Sequence, residues 1–187
     1  KKLRVPPVVI ATDKYTAYKD NTYFPLNLRV FPTVPQYHRD EPALDLLGSM
    51  MGNGNNSIFY KNFVKSKLAI QASADHESNE LSGEFQIAIF AYPPEDMNLE
   101  KLFTDLDAKV KSTIDEFGQS GITDEALARA KGQIESFAYQ QLNSVWTKNA
   151  TISEWERLLG KSSNLSDEID RYTRVTKDDI TRVFEKY

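Results

Sequence analysis

Alternating apolar and polar residues predict three β-strands in the first half of the chain. Leu26, Leu28 and Val30 alternate with Asn27 and Arg29, which is the period of a strand with its apolar face buried. The same alternation runs from residue 68 to 74, with Leu68, Ile70, Ala72 and Ala74 predicted to face inward, and through Phe85, Ile87 and Ile89. We interpret residues 75–82 as a polar loop, so the last two strands form an antiparallel pair.

Helical spacing of apolar residues predicts two helices between the first and second strands. Asp40 is a plausible N-cap, and Pro42 lies in the first turn, where its missing N–H is tolerated. The residues that recur at helical spacing are Ala43, Leu44, Leu47, Met50 and Met51. Residues 52–56 then break this helix, and Ser57 opens a second one with Phe59, Phe63 and Val64 facing inward.

The pattern after Pro93 and Pro94 is helical for nearly all of the remaining chain. A long apolar face predicts a first helix that ends at Gly118 and Gly121, and it comprises Leu99, Leu102, Phe103, Leu106, Val110, Ile114 and Phe117. Thr123 caps the next helix, whose predicted inward residues are Leu127, Ala130, Ile134, Phe137 and Leu142. Shorter helices are predicted over 152–159, 168–172 and 178–184, the last with capping-box spacing from Thr176 to Asp179.

Strands followed by helices predict an α+β fold, an antiparallel sheet with helices packed on one face. We expect residues 23–187 to form a single domain, which suits a chain of 187 residues. Residues 1–22 are predicted as a linker and a first short strand at Val8–Ala11. Because the chain begins at Lys1 without an initiating Met, we expect it to be cut at both ends from a larger parent.

The composition excludes several classes of function. Basic residues number 23 and acidic residues 27, interspersed along the chain, so no basic patch for nucleic acid is present. The longest apolar run is far below the roughly 20 residues of a membrane span. Cysteine is absent, which removes disulfides and thiolate chemistry but leaves the compartment open. A periplasmic or cell-envelope location is a working guess.

The chain has two histidines, and neither stands in a catalytic or metal-binding motif. His76, Glu77 and Glu80 look like a damaged zincin helix, but they fall in the predicted loop, so we interpret them as a solvated hairpin loop. His38 is interpreted as a surface or partly buried histidine. A serine or cysteine triad requires a base oriented beside its nucleophile. We therefore predict no catalytic residue and no metal ligand in this chain.

Other candidate sites have simpler structural readings. The segment 52–57 could cradle an anion with its backbone N–H groups, but a glycine-rich elbow between helices explains it more simply. The pairs Asp178–Asp179 and Asp124–Glu125 fall in the first turns of helices, where negative charge complements the helix dipole. The aromatic residues predicted as core are Phe103, Phe117, Phe137 and Trp155.

An ordered set of local strings resembles the pitrilysin/insulinase zinc metallopeptidases, which include the mitochondrial processing peptidases. No single string is diagnostic, but together they cover most of the chain from about Tyr23. The strings are FPTVP at 31–35, DEPALDLL at 40–47, MGNG at 51–54, SIFYK at 57–61, FV at 63–64, LA at 68–69, GEF at 83–85, GITDE at 121–125 and VTKDDI at 175–180.

The resemblance implies a companion domain, with a LuxS/mitochondrial-processing-peptidase-like fold. Family members have two or four homologous domains around a chamber, and one domain carries the zinc motif His-x-x-Glu-His, which this chain lacks. Some companion domains place an Arg and a Tyr on substrate, but the positions that correspond here are Phe63 and Ile70. The family's final strand is expected beyond residue 187, which would leave a sheet edge unpaired.

The leading hypothesis is therefore a noncatalytic domain of a zinc-dependent metalloendopeptidase. It would close the chamber and support peptide binding, while another domain of the polypeptide supplies zinc and the general base. The expected partners are those homologous domains and a peptide substrate, whose contact residues stay unknown. The alternative is a peptidase-derived structural or binding module in a parent without an active zinc site, like the core subunits of the respiratory bc1 complex. A third hypothesis, an enzyme of unrecognised type, is disfavoured because nucleophile–base pairs are missing.

Overall fold

The computed structural model describes residues 6, 8–120, 122–141, 143–160 and 165–187. Its strands are β1 (Leu26–Thr33), β2 (Ala69–Ser78) and β3 (Gly83–Ala91). Its helices are α1 (Glu41–Gly52), α2 (Leu99–Ser120), α3 (Asp124–Gln141), α4 (Val145–Leu159), α5 (Leu165–Thr173) and α6 (Lys177–Lys186), with a π-helical turn at Tyr60–Val64. Predictions for Gly121, Leu142 and residues 1–5 fall outside the described residues.

The three strands form one antiparallel sheet in the order β1-β3-β2. The predicted hairpin of the second and third strands is confirmed, and the first strand pairs with the free side of β3. Buried residues of β3, such as Phe85, Ile87 and Ile89, face the helices. The α+β class and the packing of helices on one face of the sheet are as predicted.

The face of β1 was predicted wrongly. Leu26, Leu28 and Val30 are each more than 40% exposed, while Asn27 and Arg29 point toward the helices. Both of these polar side chains bind the carboxylate of Asp107 on α2, at 2.9 and 2.7 Å. Alternation fixes which residues share a face of the strand, but not which face the helices cover. Here Asp107 on α2 binds Asn27 and Arg29, so their face is the one that points toward the helices.

A bulge and an extension alter the predicted second strand. The register shifts between Ala69 and Gln71, so Ala69 is buried while Leu68 and Ile70 are more than 40% exposed. The strand also continues to Ser78, so the first half of the predicted loop at 75–82 is paired backbone and only residues 79–82 connect the strands. No strand forms at Val8–Ala11, where residues 8–10 are exposed.

The elbow between α1 and the π-helical turn follows the prediction, with one added packing role. Gly54 adopts a φ of +78°, in the left-handed region that favours glycine. Gly52 still belongs to α1, and a Cβ there would lie 2.2 Å from the backbone nitrogen of Ala74 on β2. The Ser57 hydroxyl is buried and accepts a hydrogen bond from the amide of Tyr60.

The helical half of the chain agrees with most predictions. Thr123 caps α3 by accepting from the amide of Ala126, and the capping box of Thr176 and Asp179 is present. Trp155 is buried as predicted, but Phe137 is 61% exposed, contrary to its predicted core position.

Gly118 lies inside α2 and does not end it. The helix predicted over 152–159 begins earlier, at Val145, and the acidic pairs lie in first turns as expected.

Candidate functional site

His76 occupies a buried position in β2, so its prediction as part of a solvated loop was wrong. Its side chain has no exposed area and points from the sheet toward the helices, in register with Phe85 of β3. Glu77, its neighbour, is exposed on the opposite face, and Glu80 pairs with Arg157 on α4. The residues that suggested a damaged zinc motif therefore point in different directions.

Both ring nitrogens of His76 have partners. Nδ1 lies 2.6 Å from Oδ1 of Asp45 on α1, and Nε2 lies 3.0 Å from Oγ1 of Thr33 at the end of β1. Because a carboxylate only accepts hydrogen bonds, Nδ1 is the donor toward Asp45. The hydroxyl of Tyr172 on α5 donates to the other oxygen of Asp45, at 2.7 Å. The network thus joins both edge strands of the sheet to α1 and α5.

Tyr172 is held in its protonated form by this network. Burial and the adjacent Asp45 carboxylate raise the pKa of Tyr172 far above its ordinary value. The neutral hydroxyl is the form that can donate to Asp45, so the geometry and the direction of the pKa shift agree.

Glu41, at the start of α1, is the centre of a second polar cluster. Its carboxylate accepts from the Ser78 hydroxyl at 2.8 Å and from the backbone N–H of Tyr37 at 2.6 Å, and it pairs with Arg171. Burial alone would lower the pKa of the Arg171 guanidinium, but Glu41 and Glu168 raise it above its ordinary value. The Arg171 guanidinium also lies 4.8 Å from the centre of the Tyr37 ring.

Tyr37 is unusual in its backbone as well as its side chain. Its φ is +61°, in the left-handed region that non-glycine residues rarely adopt. The hydrogen bond from its N–H to Glu41 and the stacked Arg171 hold this conformation in place. Burial, with the negative charges of neighbouring glutamates, raises the pKa of Tyr37 to about 12. Tyr37 therefore stays neutral at physiological pH.

An open cleft of about 520 Å³ lies over these two clusters. Its lining includes Asp45, His76 and Tyr172 as well as Ile134 and the exposed ring of Phe137. Phe137 thus stands at a cleft and not in the core, which accounts for its exposure. The cleft combines polar and apolar side chains, as small binding sites commonly do.

Thr33, His76 and Asp45 stand in the order of a nucleophile, a base and an orienting acid. The residues that line the cleft do not include Thr33, whose hydroxyl lies near the position that a Cβ on Gly83 would occupy. A nucleophile must be within reach of a substrate carbonyl and of donors that stabilise the oxyanion. The arrangement therefore serves to connect β1, α1 and β2, and we assign it no catalytic role.

The donor set also does not suit zinc. Structural and catalytic zinc sites use at least three protein ligands from His, Cys, Asp or Glu. His76 offers one nitrogen beside one carboxylate, and His38 uses Nδ1 to accept from the amide of Asp40 at 3.1 Å. Within the part of the chain that the structure describes, no three such residues converge on one point.

The face of the sheet that points away from the helices is a second candidate site, which we call the open face. Cross-strand register places Leu26 opposite Phe90, and Leu28 opposite Ala88, on this face. Leu28 is 49% exposed although it is a large aliphatic side chain in the middle of a strand. Contiguous exposed apolar area of this kind is typical of surfaces that contact a partner or a ligand.

The far end of the open face is acidic. Glu77 on β2 is directly opposite Glu84 on β3, and Asp75 follows in the adjacent row, opposite Gln86. Like charges placed opposite each other destabilise a sheet. Among the described residues, no lysine or arginine forms an ion pair with Asp75, Glu77 or Glu84. The side-chain amide of Gln86 donates a hydrogen bond to Glu84 at 2.6 Å.

Sequence reasoning missed the residues on which both polar clusters depend. Asp45 and Tyr172 are 127 positions apart, and Glu41 and Arg171 are 130 apart, so no spacing rule connects them. Phe63 and Ile70, which stand where some companion domains have an Arg and a Tyr, belong to neither polar cluster. Phe63 is fully buried and stacks on Phe59 at 5.6 Å, and Ile70 is the exposed residue of the β2 bulge.

The architecture is that of an inactive peptidase domain. An inactive peptidase domain from Bordetella parapertussis superposes with a TM-score of 0.73 at 18% identity, covering 91% of this chain and 87% of that one. A protease from Helicobacter pylori gives the same TM-score and identity, covering 90% of this chain and 39% of that protein. A chain of Complex III2 from Candida albicans gives 0.70 at 12% identity, covering 90% and 41%.

The chain belongs to the Peptidase M16 inactive domain family, whose model matches residues 1–134. This confirms the resemblance to zinc metallopeptidases of the pitrilysin/insulinase type and the assignment to their inactive domain. The comparison with curated proteins gave no significant match. The chain spans about two fifths of the length of the Helicobacter pylori protease. Within the described residues, no helix is both long and apolar enough to cross a membrane.

Proposed function

We propose that this chain is the noncatalytic domain of a zinc-dependent metalloendopeptidase. In this proposal it closes a chamber and supports peptide binding, while another domain of the same polypeptide supplies zinc and the general base. The observation that carries the proposal is the membership in the Peptidase M16 inactive domain family over residues 1–134. The similar Bordetella parapertussis domain comes from a protein thought to be a zinc protease, which agrees with this reading.

The open face gives the proposal a physical contact surface. Its exposed side chains Leu26, Leu28 and Val30 would gain stability from leaving water against another domain or a peptide. Each fully buried aliphatic side chain contributes about 1.5–3 kcal/mol. The polar networks around Glu41 and His76 lie on the other side of the sheet, where they connect β1 and β2 to α1 and α5.

The test is peptide cleavage by this chain mixed with the separately expressed remainder of its parent. We expect cleavage in the mixture, little in either piece alone, and loss of cleavage when a zinc chelator is added. The variant Leu28→Asp should lower cleavage because it places a charge on the open face. Val145→Asp is the matched control, since Val145 is 88% exposed on α4 and lies outside the sheet.

Cleavage by this chain alone would contradict a noncatalytic role. Equal activity of the Leu28→Asp and Val145→Asp mixtures would show that the open face does not take part. Both variants should keep the circular dichroism spectrum of the unsubstituted chain, because both positions are exposed.

A second candidate function is a structural or binding module in a parent without an active zinc site. Its support is the shared fold with a chain of Complex III2 from Candida albicans, at a TM-score of 0.70. The parent sequence discriminates between the two, because a zinc enzyme of this family requires His-x-x-Glu-His in another domain. Absence of cleavage in a mixture of folded, associating pieces would favour the binding module.

A further inference from the structure

We propose that the Asn53–Gly54 peptide in the elbow after α1 is a site of spontaneous deamidation, at which the Asn53 carboxamide is converted to a carboxylate. The reaction takes only water from outside the chain, and its products are aspartate and isoaspartate. The site is independent of the proposed function, because its nucleophile and its electrophile are neighbours in this chain. Asn53 is the only asparagine of the sequence that is followed by a glycine.

The backbone nitrogen of Gly54 is the nucleophile of this reaction. It gives its proton to hydroxide and attacks Cγ of Asn53, so an N–Cγ bond forms. The Cγ–Nδ2 bond breaks, and Nδ2 gains a proton from water and leaves as ammonia. The resulting five-membered succinimide is favoured because both reacting groups belong to one chain. Water then opens the ring, giving aspartate by attack at Cγ and isoaspartate by attack at the backbone carbonyl carbon.

The reacting groups are exposed and free of competing hydrogen bonds. Asn53 and Gly54 belong to a run of exposed residues from 53 to 56. The Asn53 N–H donates to the Ser49 carbonyl at 3.1 Å, but within the described part of the chain neither the Gly54 N–H nor the Asn53 carboxamide takes part in a hydrogen bond. A Cβ built on Gly54 would meet no atom within 4 Å, so water can reach its nitrogen.

Ring closure requires one change of the backbone. Asn53 is extended, with a ψ of 129°, which holds the Gly54 nitrogen away from Cγ. Rotation about the Cα–C bond of Asn53 brings the two atoms together. The exposed residues 54–56 can absorb this rotation before the chain reaches the buried Ser57. Gly54, whose φ is +78°, accepts both positive and negative φ, which lowers the cost of the rotation.

The other described asparagines lack this combination. Every one of them precedes a residue with a side chain, which hinders the approach of the backbone nitrogen. The carboxamides of Asn27 and Asn62 also donate hydrogen bonds to carboxylates on α2, both at 2.9 Å. Asn149 lies inside α4, where helical hydrogen bonds hold the following backbone. Asn55 and Asn56 are the nearest comparison, because they are exposed in the same elbow.

The test follows the 187-residue chain in mildly alkaline buffer made with heavy-oxygen water. Hydrolysis of the succinimide places a solvent oxygen in the product, so peptide mapping by mass spectrometry identifies the residue that reacted. Each conversion also adds one negative charge to a chain of formal charge −4, which anion-exchange chromatography resolves. We expect Asn53 to convert at least about tenfold faster than Asn55 or Asn56, because glycine has no Cβ to obstruct ring closure. A synthetic peptide of residues 49–57 is the positive control for the chemistry.

Three variants isolate the reacting pair. Asn53→Gln should reduce conversion at this position to background, because closure would then require a six-membered ring. Gly54→Ala should slow conversion by about tenfold or more, since the added Cβ obstructs the attack. Because this variant puts alanine at a positive φ, the same substitution is also made in the synthetic peptide, where folding plays no part. Gly132→Ala is the matched control, as it replaces an equally unobstructed glycine on α3 and should leave the Asn53 rate within about twofold.

Three results would overturn the inference. The first is conversion of Asn55 or Asn56 at the rate of Asn53, and the second is an unchanged rate in Gly54→Ala. The third is a folded chain in which Asn53 stays intact while the synthetic peptide converts, since the elbow would then block the rotation. None of these results depends on zinc or on another domain, so the mixed-domain cleavage assay is decided separately.

Discussion

Arg182 Nη1 lies 2.8 Å from Oδ1 of Asp40, so an ion pair connects α6 to the start of α1 across 142 residues of sequence. The second oxygen of Asp40 accepts from Lys186 at 3.0 Å and from the hydroxyl of Tyr187 at 2.9 Å. Asp40 is completely buried, while Arg182 and Lys186 are almost half exposed. The buried Asp40 carboxylate therefore relies on these partners to compensate its charge, whereas the two cations can also be solvated by water.

This asymmetry predicts that removing the two cations destabilises the fold more than removing the carboxylate. The variant Arg182→Gln/Lys186→Gln leaves the buried carboxylate with Tyr187 and with Arg39, an exposed side chain whose Nε lies 3.6 Å from Oδ1, and should cost about 3–5 kcal/mol. Asp40→Asn keeps the shape and leaves two cations that can turn to water, so it should cost only about 1–3 kcal/mol. The measurement is the free energy of unfolding from urea denaturation. The opposite order of the two values would contradict the burial argument.

The same carboxylate predicts a loss of stability in acid. Burial alone would raise the pKa of Asp40, but hydrogen bonds from Lys186, Arg182 and Tyr187 outweigh it and hold the pKa well below its ordinary value. A depressed pKa in the folded state stabilises the protein above the unfolded value of about 4, and this contribution is lost as pH falls through the folded value.

Urea denaturation at a series of pH values from about 7 to 3 tests this linkage. The free energy of unfolding of the unsubstituted chain should fall steeply below pH ~4, and that of Asp40→Asn should fall less. Asp107 and Asp179 also have lowered pKa values, so the variant keeps part of the slope. Parallel curves for the two proteins would show that Asp40 does not titrate as described.

The local predictions succeeded where a short stretch of sequence determines the outcome. The capping box of Thr176 and Asp179 and the left-handed Gly54 depend on residues within one turn. Asp40 shows the limit of this reasoning. It does precede α1, but its side chain makes no capping hydrogen bond, because α6 offers a stronger, charged set of donors. Nothing within one turn of Asp40 indicates that α6 lies beside it.

The face of a strand is a property of the whole fold. Leu28 is more apolar than Arg29, yet Arg29 is the residue that points toward the helices, because Asp107 lies there to receive it. His76 was placed in a loop because polar residues dominate 75–82, although the inward-pointing His76 and Ser78 both have partners on α1, and His76 has another on β1. A polar strand whose inward side chains are satisfied by distant residues looks like a loop in the sequence.

The two histidines provide a matched pair for testing the network behind the sheet. His76→Ala should destabilise the fold by about 2–4 kcal/mol, because it leaves a cavity and removes the partner of Asp45 and Thr33. His38→Ala should cost less than about 1 kcal/mol, since His38 is 37% exposed and makes one hydrogen bond, to the amide of Asp40. Denaturation midpoints of the two variants decide the question, and similar losses would place His76 outside any essential network.

Tyr172 tests the same network without creating a cavity. Tyr172→Phe removes the hydroxyl that donates to Asp45 and should cost about 1–2 kcal/mol. Because burial and Asp45 raise the pKa of Tyr172, this tyrosine should not ionise until the protein unfolds in alkali. An ultraviolet titration should therefore show the same number of tyrosines ionising before unfolding in the Tyr172→Phe variant and in the unsubstituted chain. One fewer in the variant would mean that Tyr172 titrates in the folded protein.

The substitution Gly52→Ala tests how closely α1 packs on β2, and Gly132→Ala on α3 is its control. A Cβ at Gly52 would lie 2.2 Å from the nitrogen and 2.5 Å from the oxygen of Ala74, which are backbone atoms that cannot move aside independently. Gly52→Ala should therefore push α1 away from the sheet and destabilise the protein by about 2–4 kcal/mol. Gly132, inside α3, has no neighbour within 4 Å of such a Cβ. Gly132→Ala should stabilise by about 0.5–1 kcal/mol, because alanine favours the helix and restricts the unfolded chain. Thermal denaturation of both variants should give shifts of opposite sign, and a tolerated Gly52→Ala would mean that α1 does not rest directly on the backbone of β2.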